Sequence, residues 1–238
     1  METNVSLPAT PSNPEVRTTQ IPLWLKIAFT AFMAVLVPVY WTNYGPTNFL
    51  YFCDVALFIT LAALWTESAL LVSIAAVGIV VPQIFWCIDF SVELCGSHFT
   101  KMTSYMVDAN KPLFLRSLSL FHGWLPFLLL FLVGRTGYDK RALKVWSATA
   151  LVLCLISFFF LPPAGALLSN PNTPRNVDYV FGLDDARPQT LLAPALYLIA
   201  WFGVLFVVLY FPAHLALNWI YGRRLAAGTQ QPVQRFTS

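Results

Sequence analysis

Apolar residues dominate the chain in six long runs, at about 21–40, 46–65, 69–88, 112–133, 142–161 and 191–221, separated by polar connections. A hydrocarbon core roughly 30 Å thick takes about 20 apolar residues at 1.5 Å rise each, and a helix satisfies its own backbone there. The pattern therefore predicts an all-α fold: a polytopic membrane helical bundle with six transmembrane helices over 21–224.

Punctuation along the chain supports these boundaries. Lys26 sits near the start of the first run, where its aliphatic stem can carry the ammonium back to an interface. Gly45-Pro46 opens the second run, Thr66-Glu67-Ser68 forms the next turn, and Pro82 predicts a kink in the third. A polar loop spans 89–111. The connection GRTGYDKRALK follows the fourth run, Pro162-Pro163 stops the fifth, and an Asn-, Asp- and Pro-dense loop covers 164–190. Pro212 predicts a second kink and Arg223-Arg224 a basic stop. Residues 1–20 are polar and proline-rich without the pattern of a secretory signal, so they and 225–238 are expected to be cytoplasmic tails, the first disordered.

Composition agrees with the runs, since 58% hydrophobic and 11% charged residues are too oily a mixture for a soluble domain of 238 residues. The net charge of +3 forms no stripe, so nucleic acid is not a partner. Membrane lipids are. With the amino end inside, nine basic residues (Arg17, Lys26, Arg135, Lys140, Arg141, Lys144, Arg223, Arg224, Arg235) face the cytoplasm against five outside (Lys101, Lys111, Arg116, Arg175, Arg187). The expected location is a plasma membrane of the bacterial inner-membrane kind, with both termini cytoplasmic and both long loops outside, as a lid or a recognition surface.

Candidate chemistry lies in the polar groups left inside the runs. An ionisable side chain there costs roughly 2.5–3.5 kcal/mol, so one that persists faces a partner or a wet cavity. Asp54 falls about 12 Å below Pro46 and His122 about 15 Å below Pro112, nearly the same level. Asn48, Tyr51 and Asp54 follow one another at three-residue steps, as do Arg116, Ser119 and His122, giving two polar stripes. Gln83 and Asp89 join them from the third helix. The sequence thus predicts an outward-opening pocket with His122, Asp54 and Tyr51 as catalytic candidates and Asn48, Gln83, Asp89, Arg116 and Ser119 as substrate-binding ones. An Asp–His pair that merely fixes helix packing is the competing reading.

No metal or other cofactor is indicated. His98, His122 and His214 are far apart in sequence, and no HxxxH or CxxC spacing occurs. Cys53 and Cys154 are expected to pack as small apolar residues. Cys87 and Cys95, eight residues apart, are in reach of a disulfide in an oxidising compartment.

YGPTNFLYFCDVALF (44–58) and SLFHGWLPFLLLF (119–131) resemble the six-span fold shared by the androgen-induced and androgen-dependent membrane hydrolases and by bacterial integral membrane proteins of the YwaF type. The likeness rests on Tyr44-Gly45, Phe49 to Asp54, Cys53-Asp54, His122-Gly123 and Leu125-Pro126-Phe127. It implies hydrolysis of a fatty acid ester by a fourth-span histidine with a threonine nucleophile, a position that Tyr51 fills here; a phenol is a poor nucleophile, and Cys53 and Thr47 differ from it in helical phase. The whole chain also resembles a group of bacterial membrane-associated proteins, which implies location alone. Two functional readings follow. One is an intramembrane hydrolase or acyltransferase acting on a lipid-like ester, with His122 as base oriented by Asp54, and Tyr51 or Asn48 donating to the oxyanion. The other is a non-catalytic protein, either a small proton-coupled transporter or a scaffold that binds a partner through its outer loops.

Overall fold

The computed structural model describes residues 21–97, 100 and 102–228, with 223–228 as backbone only. The tails at 1–20 and 229–238, His98 and Lys101, and the side chains of Arg223 and Arg224 lie outside what it describes. Among the described residues there is no strand; the chain forms α1 (Leu23–Tyr44), α2 (Phe52–Thr66), α3 (Ala69–Leu94), α4 (Leu113–Leu118), α5 (Phe121–Thr136), α6 (Ala142–Phe160), α7 (Pro194–Val204) and α8 (Phe211–Gly228).

Five segments are long and apolar enough to cross a bilayer: α1, α3, α4 with α5, α6, and α7 running into α8. The second apolar run behaves differently from the others. Gly45, at φ 84°, ends α1, and Pro46–Leu50 form a tight 3₁₀ turn. Tyr51 is extended, so α2 begins only at Phe52 and has 15 residues, about 22 Å of rise. α3 departs in the opposite sense. It continues through Pro82 to Leu94, so the first stretch of the expected polar loop is helix.

α3 is the axis of the bundle, packing against α2, α5, α6 and α8. Its middle, Val72 to Val80, is buried on all sides, the signature of a central helix. Gly78 supplies the closest approach: the Trp146 indole of α6 lies where a Cβ would stand. The outward faces are apolar too, with Trp24, Phe127, Phe160, Ile199 and Trp219 all exposed. Water would not tolerate such a belt, whereas acyl chains would. The kink expected at Pro212 is preceded by a π-helical segment, Leu205–Tyr210, which joins α7 to α8.

Polar groups hold the two ends of the bundle in different ways. At one end the connections are short: Lys26 pairs with Glu67 at 2.6 Å instead of reaching out alone, Asp139 N donates to Ser73 Oγ at 2.9 Å, and Tyr138 Oη meets His214 Nδ1 at 2.7 Å. At the other end the two long loops fold down onto the helices.

Candidate functional site

Both loops and three helix ends enclose one cavity of about 360 Å³. Tyr40 and Tyr44 come from the end of α1, Asn48 and Tyr51 from the turn before α2, Cys53 and Asp54 from the first turn of α2, and Trp86 from α3. Ser119, Phe121 and His122 come from the junction of α4 and α5, and Tyr105, Lys111, Arg175, Tyr179 and Asp185 from the loops. Asp54 and His122 therefore reach the same hollow.

The local backbone explains why they do. Neither residue sits in the middle of a continuous helix. Asp54 is in the first turn of α2, where a carboxylate faces the positive end of the helix dipole. Its Oδ2 accepts from Asn48 Nδ2 at 3.1 Å and from the Cys53 thiol at 3.9 Å. Its Oδ1, buried, has no protein partner.

His122 is the second residue of α5, just beyond a break. Around Ser119 and Leu120 the helical hydrogen bonds tighten to i→i+3, as in Leu120 N→Ser117 O at 3.1 Å and Gly123 N→Leu120 O at 2.9 Å. The Ser119 carbonyl also takes the imidazole Nδ1 at 2.8 Å. A carbonyl oxygen can only accept, so Nδ1 carries the proton and Nε2 is left as an acceptor. Pro126, four residues on, has no N–H for the carbonyl of His122; the Cys87 thiol approaches that oxygen at 3.7 Å instead. Trp86 and Phe121 stack on the ring at 4.7 and 4.0 Å between centroids. The imidazole is clamped on its faces and at one nitrogen.

No hydrogen bond joins Asp54 to His122. The orienting role expected of Asp54 falls to the Ser119 carbonyl, while Asp54 itself holds Asn48 and the Cys53 thiol. Ser119 has a second task, its hydroxyl meeting Tyr40 Oη at 2.8 Å.

Of the eight residues singled out in the sequence, His122, Asp54, Tyr51, Asn48 and Ser119 line the cavity. Three do not. Asp89 is consumed by the loop after α3: its carboxylate accepts from the backbone N–H and the hydroxyl of both Thr100 and Thr103, at 2.7–3.1 Å. Arg116 staples the same loop, donating to the Met106 carbonyl at 2.7 Å and the Lys111 carbonyl at 3.1 Å. Both charges satisfy backbone that would otherwise be stranded, a role that spacing cannot distinguish from ligand binding. Gln83 is buried in α3 away from the cavity, its amide without a protein partner. Cys87 and Cys95 are free thiols.

Sequence reasoning missed the second loop's part altogether. Asp178 reaches across 126 residues to accept the Phe52 N–H at 3.1 Å, so it caps α2 in place of a local residue. Its own carbonyl accepts from Trp201 Nε1 at 2.8 Å, which ties the loop to α7. Burial pushes the Asp178 carboxyl well above the usual carboxylate range. Asn176, Asp178 and Tyr179 all adopt left-handed backbone, with φ of 52–59°. Asn and Asp tolerate this; Tyr179, on the cavity wall, does so under strain. The density of Asn and Asp in 164–190 was the available signal, but it marks turns as readily as a cap.

The cavity brings together the His122 imidazole with its Nε2 acceptor, the Asp54 carboxyl, phenol hydroxyls on its walls and two cations from its loops. Among the described residues no group of three or more His, Cys, Asp or Glu is arranged to hold a metal ion. The chain matches no family model, no curated protein and no solved structure.

Proposed function

We propose that the protein is a multi-pass membrane enzyme that hydrolyses or transfers the acyl group of an amphiphilic ester. One observation carries this reading: His122 has Nδ1 fixed on a carbonyl and Nε2 without a protein partner, on the wall of a cavity that the Asp54 carboxyl also lines. That is the arrangement of a general base. His122 Nε2 takes the proton of a water or alcohol whose oxygen forms the new bond to the ester carbonyl carbon. The tetrahedral intermediate then expels the alkoxide, which recovers that proton from the imidazolium. Asp54 accepts a hydrogen bond from the attacking or leaving oxygen, and the Tyr51 hydroxyl donates to the oxyanion. With water or an alcohol as nucleophile the chemistry needs no threonine where Tyr51 stands, and so accommodates the departure from the androgen-induced hydrolase pattern.

In this reading the chain crosses the membrane six times, α2 serving as a short crossing, with both termini cytoplasmic and the cavity opening outward. Reporter fusions in each connection test that topology. For the chemistry, reconstituted protein is assayed on short-chain and long-chain esters alongside His122→Ala. Loss of turnover by about 10²–10⁴-fold is expected; identical lipid profiles in cells carrying wild type and variant would count decisively against catalysis.

The broken helices favour a second reading, a proton-coupled transporter, because transporters place their sites at such interruptions. It predicts pH-dependent uptake in proteoliposomes that vanishes in Asp54→Asn, without ester turnover by wild type.

A further inference from the structure

The rim of the cavity is charged in a way that ester chemistry does not require. Lys111, from the loop before α4, and Arg175, from the loop before α7, both line the hollow, and both are half-buried. Among the described residues neither forms a salt bridge; the ion pairs there, Lys26–Glu67 and Arg141–Asp139, belong to the opposite end of the bundle.

Neither cation is within ion-pair distance of a carboxylate among the described residues, although the Arg175 charge is near enough to Asp185 to oppose the burial that raises that carboxyl. The Lys111 ammonium lies 5.9 Å from the Tyr44 ring and 5.8 Å from the Tyr105 ring, an aromatic shelf that fixes it without neutralising it. Arg175 stands between buried Pro174 and Asn176, and Asn176 is the fastening of its loop. The Asn176 N–H donates to the Pro162 carbonyl at 2.8 Å, its Nδ2 donates to the Gly182 carbonyl at 2.8 Å, and its Oδ1 accepts from the Phe181 N–H at 2.9 Å. The backbone that carries Arg175 is therefore rigid. Asp185 is the carboxylate on this wall, and one of its oxygens is engaged by Asn176 Nδ2 at 3.2 Å.

Two positioned, unpaired cations from different loops, facing one concavity, recognise an anion: the ammonium as a point charge and the guanidinium as a fork of donors. The floor below them is made of acceptors, which call for hydroxyl donors on the ligand. A cavity of about 360 Å³ is of head-group size, so acyl chains stay outside it.

We propose that Lys111 and Arg175 form a subsite for the phosphate or carboxylate of a ligand whose hydroxyl reaches Asp54 and His122. The substrate class is then an anionic, hydroxyl-bearing head group, carried by a lipid or free in solution. Naming it a substrate rests on the catalytic reading above; the anion subsite rests on the rim alone.

The test titrates detergent-purified protein with sn-glycerol 3-phosphate. In a second arm the protein is reconstituted in nanodiscs of phosphatidylcholine with increasing phosphatidylglycerol. The unfolding midpoint is followed in both. A saturable upward shift is expected in at least one arm, with affinity reduced about tenfold in Lys111→Gln and in Arg175→Gln. Lys144→Gln, an exposed change on α6, serves as control and leaves it unaltered. Saturation by the soluble phosphate assigns a free ligand; saturation only by the anionic lipid assigns a head group. No saturable shift in either arm, or an undiminished one in the double variant, overturns the subsite. Ester turnover is measured on the same samples: anion binding without turnover sinks the catalytic reading and leaves the subsite standing, and turnover indifferent to both glutamines does the reverse.

Discussion

The two ends of this bundle solve the problem of buried polarity in opposite ways. At the short-connection end packing is close and polar groups pair off within the protein: Lys26 with Glu67, Tyr138 with His214, Ser73 with the Asp139 backbone, while the polar atoms left over nearby, Trp146 Nε1, Ser147 Oγ and Tyr210 Oη, belong to uncharged side chains. At the long-loop end the helices break, at Gly45–Tyr51 and again at Ser119–Leu120, and polar atoms are left over. Asp54 Oδ1 and Asp178 Oδ2 are both buried there with no protein partner. A regular helix consumes its own backbone donors and acceptors. An interrupted one releases them to hold side chains, as the Ser119 carbonyl holds His122. The same chain thus closes one end by packing and leaves a polar hollow at the other.

This contrast is open to attack. The largest effect is expected at Gly78→Ala, because the new methyl would collide with a rigid indole, Trp146, and not with a flexible tip. Overpacking of this kind costs about 3 kcal/mol. A lowered unfolding midpoint in detergent, with the cavity's ligand affinity unchanged in the fraction that folds, would show that the two ends are energetically separable. A large loss of affinity would show that they are not.

Next in size is Asp178→Ala, which removes the cap of α2 and one tie of the loop. A cost of about 1 kcal/mol is expected, together with faster proteolysis within 164–190. Asp178→Asn keeps an acceptor for the Phe52 N–H and should restore most of the protection. If alanine and asparagine behave alike, the long-range cap is not what holds the roof.

The smallest effects are those of pH, and their signs differ between the ends. Burial raises the Asp178 carboxyl, so its contribution favours the folded state in acid and is lost as pH rises past the ordinary carboxylate range. Asp139 is the reverse: its hydrogen bonds to the Arg141 guanidinium hold it below that range, so its contribution is present above it and is lost as pH falls through the lowered value. Unfolding midpoints measured across the acid range should therefore show Asp178→Asn flattening the decline toward neutral pH and Asp139→Asn flattening the decline toward acid. Equal slopes in both variants would remove the electrostatic side of the comparison. The Asp139 effect is the weaker, since Arg141 lies in solvent.

Much of the molecule was legible before any coordinates. Length and hydropathy gave helices close to their observed bounds in α1, in α4 with α5, and in α6, because an apolar run of that length has no other way to satisfy its backbone among acyl chains. That Asp54 and His122 approach one another was legible as well, although the equal rise that suggested it assumed continuous helices and both are interrupted just before these residues. Their role as a bonded pair was not. Height does not fix azimuth, and the 3₁₀ tightening at Ser119 turned the imidazole onto the Ser119 carbonyl. Asp89 and Arg116 misled for a related reason: a charge near a helix end serves a ligand or a loop backbone equally well, and only the path of the loop decides between them.

By itself, then, the sequence determined that the chain is helical and that its exterior is apolar, because each follows from local composition. Tertiary structure alone decided that α2 is short and capped from 126 residues away. It also brought Lys111 and Arg175, from separate loops, to one rim, and left Asp54 Oδ1 without a protein partner. Those outcomes depend on which distant carbonyls, amides and rings arrive at a given point, and that is settled only when the helices pack.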